Sequence, residues 1–389
     1  MPSAEQCVTG GKRIAFADLL RGVAATSVVL FHFGYLIWLR PDIIGNLISF
    51  PGLDTLIGQA SFAPLPSFGL SLFWGHFGVA LFFLISGFVI PISIISLTRA
   101  GFVISRIFRL WPTYLVGLSV AIACVALNSQ FSGGIFPYST IEVLTNALII
   151  PRWPSLTRSI DGIVWSLEVE IFFYAFCILM ATWLRRLDLR PFLLSFPAVP
   201  AAYAASLGGP HLIGTNMLLF SFSHWASAML TYVCFLLCGT VYYYNYRGRL
   251  GIAETLAAQA GLLLCFAISL KIGLLDVSDW SMVVSYLLGY AAFAIAYFSR
   301  DWIGALPMWV VNPLSFLADV SYPLYTVHGV LGYTLIGYLL AYGAPSGAAV
   351  GLAVCAVLAA AVVIHRLVEV PTHSFGKLAA LNINTQLAK

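Results

Sequence analysis

The sequence predicts an all-α fold, a polytopic membrane bundle of about ten transmembrane helices with both termini in the cytoplasm. Three observations lead there. Of the 389 residues, 60% are hydrophobic and 9% are charged, where a soluble domain carries roughly 25% charged residues. Mean hydropathy is +0.94, and the charged residues fall in bunches separated by apolar runs of about 18 to 25 residues, the length a helix needs to cross ~30 Å of hydrocarbon. Lys and Arg also alternate in side. With the N-terminus inside, 15 of the 19 basic residues lie on the inner side, and only Arg40, Arg152, Arg158 and Lys271 lie outside, the bias that cytoplasmic loops show. This composition excludes a soluble enzyme, and basic residues strung between spans read as topology signals rather than as a nucleic-acid surface.

The elements follow in order. Residues 1–13 form a polar cytoplasmic tail ending in Lys12 and Arg13. The apolar run behind it is too long for a signal h-region and lacks an A-x-A site, so the first helix is retained. The spans are expected at 16–39, 69–95, 108–127, 163–184, 191–206, 227–246, 252–270, 280–298, 323–341 and 348–367, from apolar runs alone. The fifth is the weakest, because Pro197 and Pro200 kink or break a helix, and the HLIGTNMLLF segment behind it dips into the membrane or runs along its surface. Residues 14–371 are expected as one membrane domain and 372–389 as a cytoplasmic tail, its last residues LNINTQLAK loose. No internal repeat is present, which argues against a transporter built from paired halves. Cys124, Cys177, Cys234, Cys238, Cys265 and Cys355 lie in apolar runs and read as packing residues, with Cys7 in the tail. Cys234 and Cys238 are one turn apart but have no His or carboxylate beside them, and no metal is predicted.

Ionisable groups inside spans carry the chemical information, since each costs several kcal/mol unless paired or facing a cavity. Asp18, Arg21 and His32 share the first span. At about 100° per residue, the step from Arg21 to His32 returns almost to one face with a rise of ~16 Å, so a polar stripe runs from the cytoplasmic edge to mid-membrane. The plain alternative is an interfacial Asp18–Arg21 pair and a packed imidazole. Arg106 and Arg109, three apart before Pro112, suit phosphate recognition because each guanidinium offers a planar fork of donors; simple topological anchoring is the alternative. Glu168 and Glu170 open the fourth span and face different sides of their helix, so one meets the buried polar stripe and the other a loop or water, or they staple helices. Tyr325 and His328 stand three apart in the ninth span, where His328 by itself reads as structural, and Glu369 lies beside the cytoplasmic end of the tenth.

Several short motifs recur in order. Arg21, Gly22 and Ala24 precede His32; Phe82 and Phe83 precede Ser86, Gly87 and Phe88; Arg106 and Arg109 precede Pro112 and Tyr114. Trp165, Ser166, Leu167 and Glu170 are followed by Phe173 and Tyr174, then Ser321, Tyr322, Leu324, Tyr325 and His328, then Glu369 and Pro371. In this set the chain resembles the acyltransferase type 3 family of integral-membrane O-acyltransferases, which modify surface polysaccharides, lipid-linked sugars, peptidoglycan and some secreted small molecules. It departs from the family's pattern at Ile171, where a second Glu is frequent, and at Leu19, where Gly usually follows the Asp.

The resemblance implies transfer of an acyl group, most often acetyl, from cytosolic acyl-CoA to a hydroxyl of a saccharide or lipid-linked glycan, in a bacterial cytoplasmic membrane. Expected partners are acyl-CoA, that acceptor and the bilayer, with neither nucleic acid nor metal. His32 is the expected base or acyl relay, Glu170 the group that orients or charges its imidazole, and Arg21 part of the same catalytic set. Arg106, Arg109, Ser86 and Tyr325 are expected to bind the donor: coenzyme A is a polyanion too costly to carry into hydrocarbon, so a basic mouth holds its phosphates while the pantetheine arm reaches inward. The outer loops, with Asp42 and Asp54 in one and Trp153, Arg158 and Asp161 in another, have an aromatic and polar mixture that suits a sugar. The competing reading is a proton-coupled transporter or exporter with Arg21, His32 and Glu170 as its relay.

Overall fold

The computed structural model describes residues 14–66, 73–150, 157–193, 196–204, 217–273 and 280–387. The apolar runs satisfy their backbone groups internally as helices, as hydrocarbon demands, and no strand occurs among the described residues. In chain order these are α1 (Ala15–Leu39), α2 (Pro41–Ile48), α3 (Leu53–Gln59), α4 (Phe73–Ser96), α5 (Arg99–Phe131), α6 (Thr140–Ala147), α7 (Val164–Leu179), α8 (Ala181–Arg185), α9 (Arg190–Leu193) and α10 (Ala198–Tyr203). They continue as α11 (Met217–Tyr246), α12 (Ile252–Gly273), α13 (Ser281–Phe298), α14 (Arg300–Ile303), α15 (Met308–Ala341), α16 (Ser346–Ile364) and α17 (Val370–Leu387). α1 contains a π turn at His32–Leu36, and a second, His365–Glu369, joins α16 to α17.

Among the described residues, eight helices are long and apolar enough to cross a membrane: α1, α4, α5, α11, α12, α13, α15 and the continuous α16–α17. The other two expected spans are not single helices. The fourth is α7 and α8 in tandem, interrupted at Met180. This break lets Arg185 reach the end of α4, where it donates to the carbonyls of Ile94 and Leu97 at 3.2 and 2.7 Å and supplies the cationic partner a helix C-terminus favours. The fifth is reduced to the short pieces α9 and α10, the second starting behind Pro197, and the path expected for 191–226 lies partly outside the described residues, at 205–216.

Contacts gather several helix ends at one face. Arg99 donates to Thr182 at 3.3 Å, Tyr244 to the Asp188 carbonyl at 2.9 Å and Arg249 to the Leu187 carbonyl at 3.2 Å. The ends of α4, α8 and α11 and the start of α5 therefore meet at one face, the arginine-rich side that the sequence assigns to the cytoplasm.

At the centre, α1 packs on α4 and α15; α4 packs further on α11 and α13, and α15 on α5 and α16. Phe16 stands edge-on to Phe88, Phe293 and Tyr297, a favoured aromatic geometry that ties α1 to α4 and α13. Cys124, Cys177, Cys234, Cys238 and Cys265 are buried as packing residues, but Cys355 is exposed on α16.

The expected loose C-terminal tail is instead helical. α17 lies antiparallel on the first half of α5, with Phe375 edge-on to Phe108 and Asn384 accepting from the Thr98 backbone N–H at 2.9 Å and from its hydroxyl at 2.6 Å. Thr98 is the N-cap of α5, so the last turns of α17 help satisfy the start of the helix that carries Arg106 and Arg109. Polar residues had suggested a tail; their partners lie 286 residues away in sequence.

On the outer face, α6 opens with a capping box between Ser139 and Glu142, and Arg158 donates to the Glu142 carboxylate at 2.9 Å while covering the Tyr138 ring at 4.9 Å. The Arg158 hydrogen bond first, then the Ser139 backbone N–H, pull the Glu142 carboxyl from its ordinary 4.5 down to about 2. A depressed carboxyl contributes stability that is complete above its unfolded value and lost as pH falls through its folded one. The melting temperature is therefore expected to fall more steeply from pH 4.5 to about 2 in the native protein than in Glu142→Gln; parallel curves would remove Glu142 from the acid response.

Candidate active site

A cavity of about 100 Å³ opens between α1, α4, α5, α7 and α15. Five of the residues given catalytic or donor-binding roles from the sequence reach its wall: Arg21 from α1, Ser86 from α4, Arg109 from α5, Glu170 from α7 and Tyr325 from α15. Tyr174 donates to Glu170 at 2.5 Å, Ser166 and Tyr325 share a hydrogen bond at 2.7 Å, and Tyr322 donates to the Leu110 carbonyl at 2.7 Å. Arg21 pairs with Asp18 at 3.5 Å. Arg21 and Arg109 thus bring two guanidiniums to this end of the cavity, and Glu170 one carboxylate.

Arg106 is not beside Arg109 on the cavity wall. It is 5% exposed, donates to the Ser93 hydroxyl, and lies over the rings of Phe102 and Tyr174 at 5.1 and 5.4 Å. Three residues along a helix leave the two side chains only about 60° apart; packing over Phe102 and Tyr174 takes Arg106 into the helix interface while Arg109 reaches the cavity. Arg106 thus supports Tyr174, which holds Glu170.

Beyond Ser321 and Tyr325 a second, closed slot lies between α1 and α15, too tight to hold a water molecule and lined by Ala25, Val28, Val29, Leu324 and His328. His328 is fully buried. Its Nδ1 lies 3.0 Å from both the Leu324 and the Tyr325 carbonyl, two acceptors, so Nδ1 carries the proton. Its ring stands perpendicular to that of His32 with centroids 4.7 Å apart. His32 opens the π turn of α1 and is hydrogen-bonded through Nδ1 to the Tyr333 hydroxyl. π turns frequently mark functional positions in helices.

The expected pairing of Glu170 with His32 is not what the structure shows. Glu170 faces the arginine end and accepts from Tyr174, while His32 is held by Tyr333 and His328 at the other end of the slot. Tyr333 was missed, since one tyrosine among 18 carries no signal of its own; His328 had read as structural. In the outer loops, Asp42 is engaged by Arg40 at 3.1 Å, and Asp161 accepts from the backbone N–H of Ile163 and Val164 at 3.0 and 3.2 Å. Trp153 lies outside the described residues. Glu369 accepts from His365 at 2.6 Å within the second π turn.

This arrangement can be set against known families. The family model for the acyltransferase domain matches residues 14–366. The chain belongs to that family. Neither the curated proteins nor the solved structures gave a significant match. Acyl transfer at a membrane is therefore the activity to which the geometry answers, and the matched stretch holds the whole cavity, the slot and both histidines, while α17 lies beyond it.

Proposed function

We propose that this membrane acyltransferase moves an acyl group, in the first instance acetyl, from cytosolic acyl-CoA to a hydroxyl of a saccharide or lipid-linked acceptor in a bacterial cytoplasmic membrane. One observation carries the reading: a cavity lined by Arg21, Arg109 and Glu170 shares Ser321 and Tyr325 with a closed slot that His328 lines, and the His328 ring touches that of His32. Guanidiniums suit the phosphates of coenzyme A, which cannot be desolvated without such partners. The slot is apolar and closed, so a pantetheine arm has to part α1 from α15 to bring a short acyl group to the histidines. His32, the base or acyl relay of this reading, touches His328 at the end of the slot and is within reach of a thioester brought there. Arg106, through Tyr174, keeps Glu170 in place beside the guanidiniums. Oriented in this way, the donor enters from the arginine-rich face and the acceptor approaches His32 from the other.

The test is binding by purified protein. CoA is expected to raise the melting temperature and dephospho-CoA to do so less, as one phosphate contact is lost. Arg109→Ala is expected to weaken CoA binding by about tenfold or more, the worth of a charge-assisted hydrogen bond, and Arg109→Lys to restore only part, because a point charge replaces a fork. Unchanged affinity in Arg109→Ala would reduce this arginine to a topological anchor, and no response to CoA at all would remove acyl-CoA as the donor.

A further inference from the structure

Two imidazoles in contact are chemically useful only if they differ, and the hydrogen-bond inventory shows that they do. His328 has its proton fixed on Nδ1 by the Leu324 and Tyr325 carbonyls. Its Nε2 then carries a bare lone pair, and this atom is buried without a hydrogen-bond partner. Leaving a buried acceptor unpaired is costly, so the atom is arranged for a donor that arrives with the substrates. His32 is the converse. Tyr333 is 1% exposed, and the hydrogen-bond partner of its hydroxyl among the described residues is His32 Nδ1; a buried hydroxyl with no other acceptor gives its proton there. Tyr333 then donates to Nδ1, which puts the proton of a neutral His32 on Nε2 and leaves that ring no free lone pair.

We infer that the two histidines divide the transfer between them, with Nε2 of His328 as the base and Nε2–H of His32 as the donor to the thioester carbonyl oxygen. The inference rests on the acyl-CoA reading above. As the acceptor hydroxyl oxygen bonds to the carbonyl carbon, its proton passes to His328 Nε2, and the carbonyl oxygen takes up negative charge against His32 Nε2–H. When the carbon–sulfur bond breaks, the sulfur leaves with the electron pair and takes the proton back from His328. The products are the ester and free CoA thiol, and both rings return to their starting tautomers. Tyr333 is a positioning residue, since it acts by fixing the His32 tautomer.

Substitution separates this from a structural role. Asn at position 328 offers an amide N–H in place of Nδ1–H, so His328→Asn keeps the donation to Leu324 and Tyr325 but has nothing in place of Nε2. Single-turnover transfer from acetyl-CoA is expected to fall about 100-fold or more in His328→Asn, with CoA binding and melting temperature kept. His32→Gln, which can present an amide N–H in place of Nε2–H, is expected to retain at least tenfold more activity than His32→Ala. A His328→Asn variant within tenfold of wild type would overturn the assignment. Should that variant not fold, ¹⁵N NMR of histidine-labelled wild-type protein decides directly, with signals assigned by the His32→Gln variant and by the contact between the rings. The expected result is Nδ1–H on His328 and Nε2–H on His32; Nδ1–H on His32 overturns the division of roles. Wild-type turnover of acetyl-CoA tests the underlying reading separately, and the tautomers can be read whether or not that reading holds.

Discussion

His32→Ala is expected to abolish acyl transfer, with a loss of about 100-fold or more, while the protein still inserts and binds CoA. Either role for this imidazole leads to a loss of that size. A general base contributes typically 10² to 10⁴, and a donor aimed at a developing oxyanion about 10² to 10³. The substitution adds no charge to the membrane interior, and Arg21 and Arg109, proposed to hold the donor, line the neighbouring cavity. One structural cost is foreseeable. The Tyr333 hydroxyl loses its partner, which costs about 1–3 kcal/mol for a buried group and lowers the melting temperature by a few degrees. Pairing the change with Tyr333→Phe removes that orphan and leaves the catalytic loss in place. Size-exclusion behaviour, CoA binding and single-turnover transfer would be measured together. Activity within tenfold of wild type in His32→Ala would exclude both roles, whatever the stability.

The parts of this molecule legible in its sequence are those set by one helix at a time. Apolar length gave the long spans, because hydrocarbon thickness acts on local segments. Arg21, Ser86, Arg109, Glu170 and Tyr325 could be named because each sits in a span or at its edge, where a polar group needs a reason, or in a motif of the family. What could not be read is how the helices are turned towards each other. Arg106 and Arg109 look equivalent on paper, yet packing against Phe102 and Tyr174 takes the first out of the cavity. Glu170 and His32 are both buried polar groups, and only the placement of α7 against α4 sends the carboxylate to the arginine end. The contact between His32 and His328 links residues nearly 300 positions apart, and the π turn that begins at His32 leaves no mark in composition.

The second large effect is expected at Gly87, where α4 crosses α11 with almost no side chain between the backbones. A Cβ on Gly87 would lie 1.8 Å from the Leu236 carbonyl oxygen, and one on Gly239 would lie 2.2 Å from that of Leu84. Close approach of this kind is how membrane helices associate, since lipid supplies no hydrophobic drive and small residues let backbones pack and exchange hydrogen bonds. Thr240 uses the proximity to donate to the Gly87 carbonyl at 2.8 Å. The neighbours cannot move aside: Leu84, Phe88, Leu236 and Cys238 are all fully buried. A methyl group at 87 therefore pushes whole helices apart by more than an ångström, breaks the Thr240 bond and shifts Ser86 at the cavity wall. Overpacking in a rigid core costs about 1–3 kcal/mol and occasionally more. Gly87→Ala is accordingly expected to lower the melting temperature by about 5 °C or more and to depress transfer through Ser86, and Gly87→Val to leave little folded protein. Gly261 on α12 is the control, because a Cβ there meets no atom within 4 Å, and Gly261→Ala should be neutral or slightly stabilising through helix propensity. If Gly87→Ala melted with the wild type while Gly261→Ala did not, the α4–α11 crossing would not be the close contact that sets the position of the site.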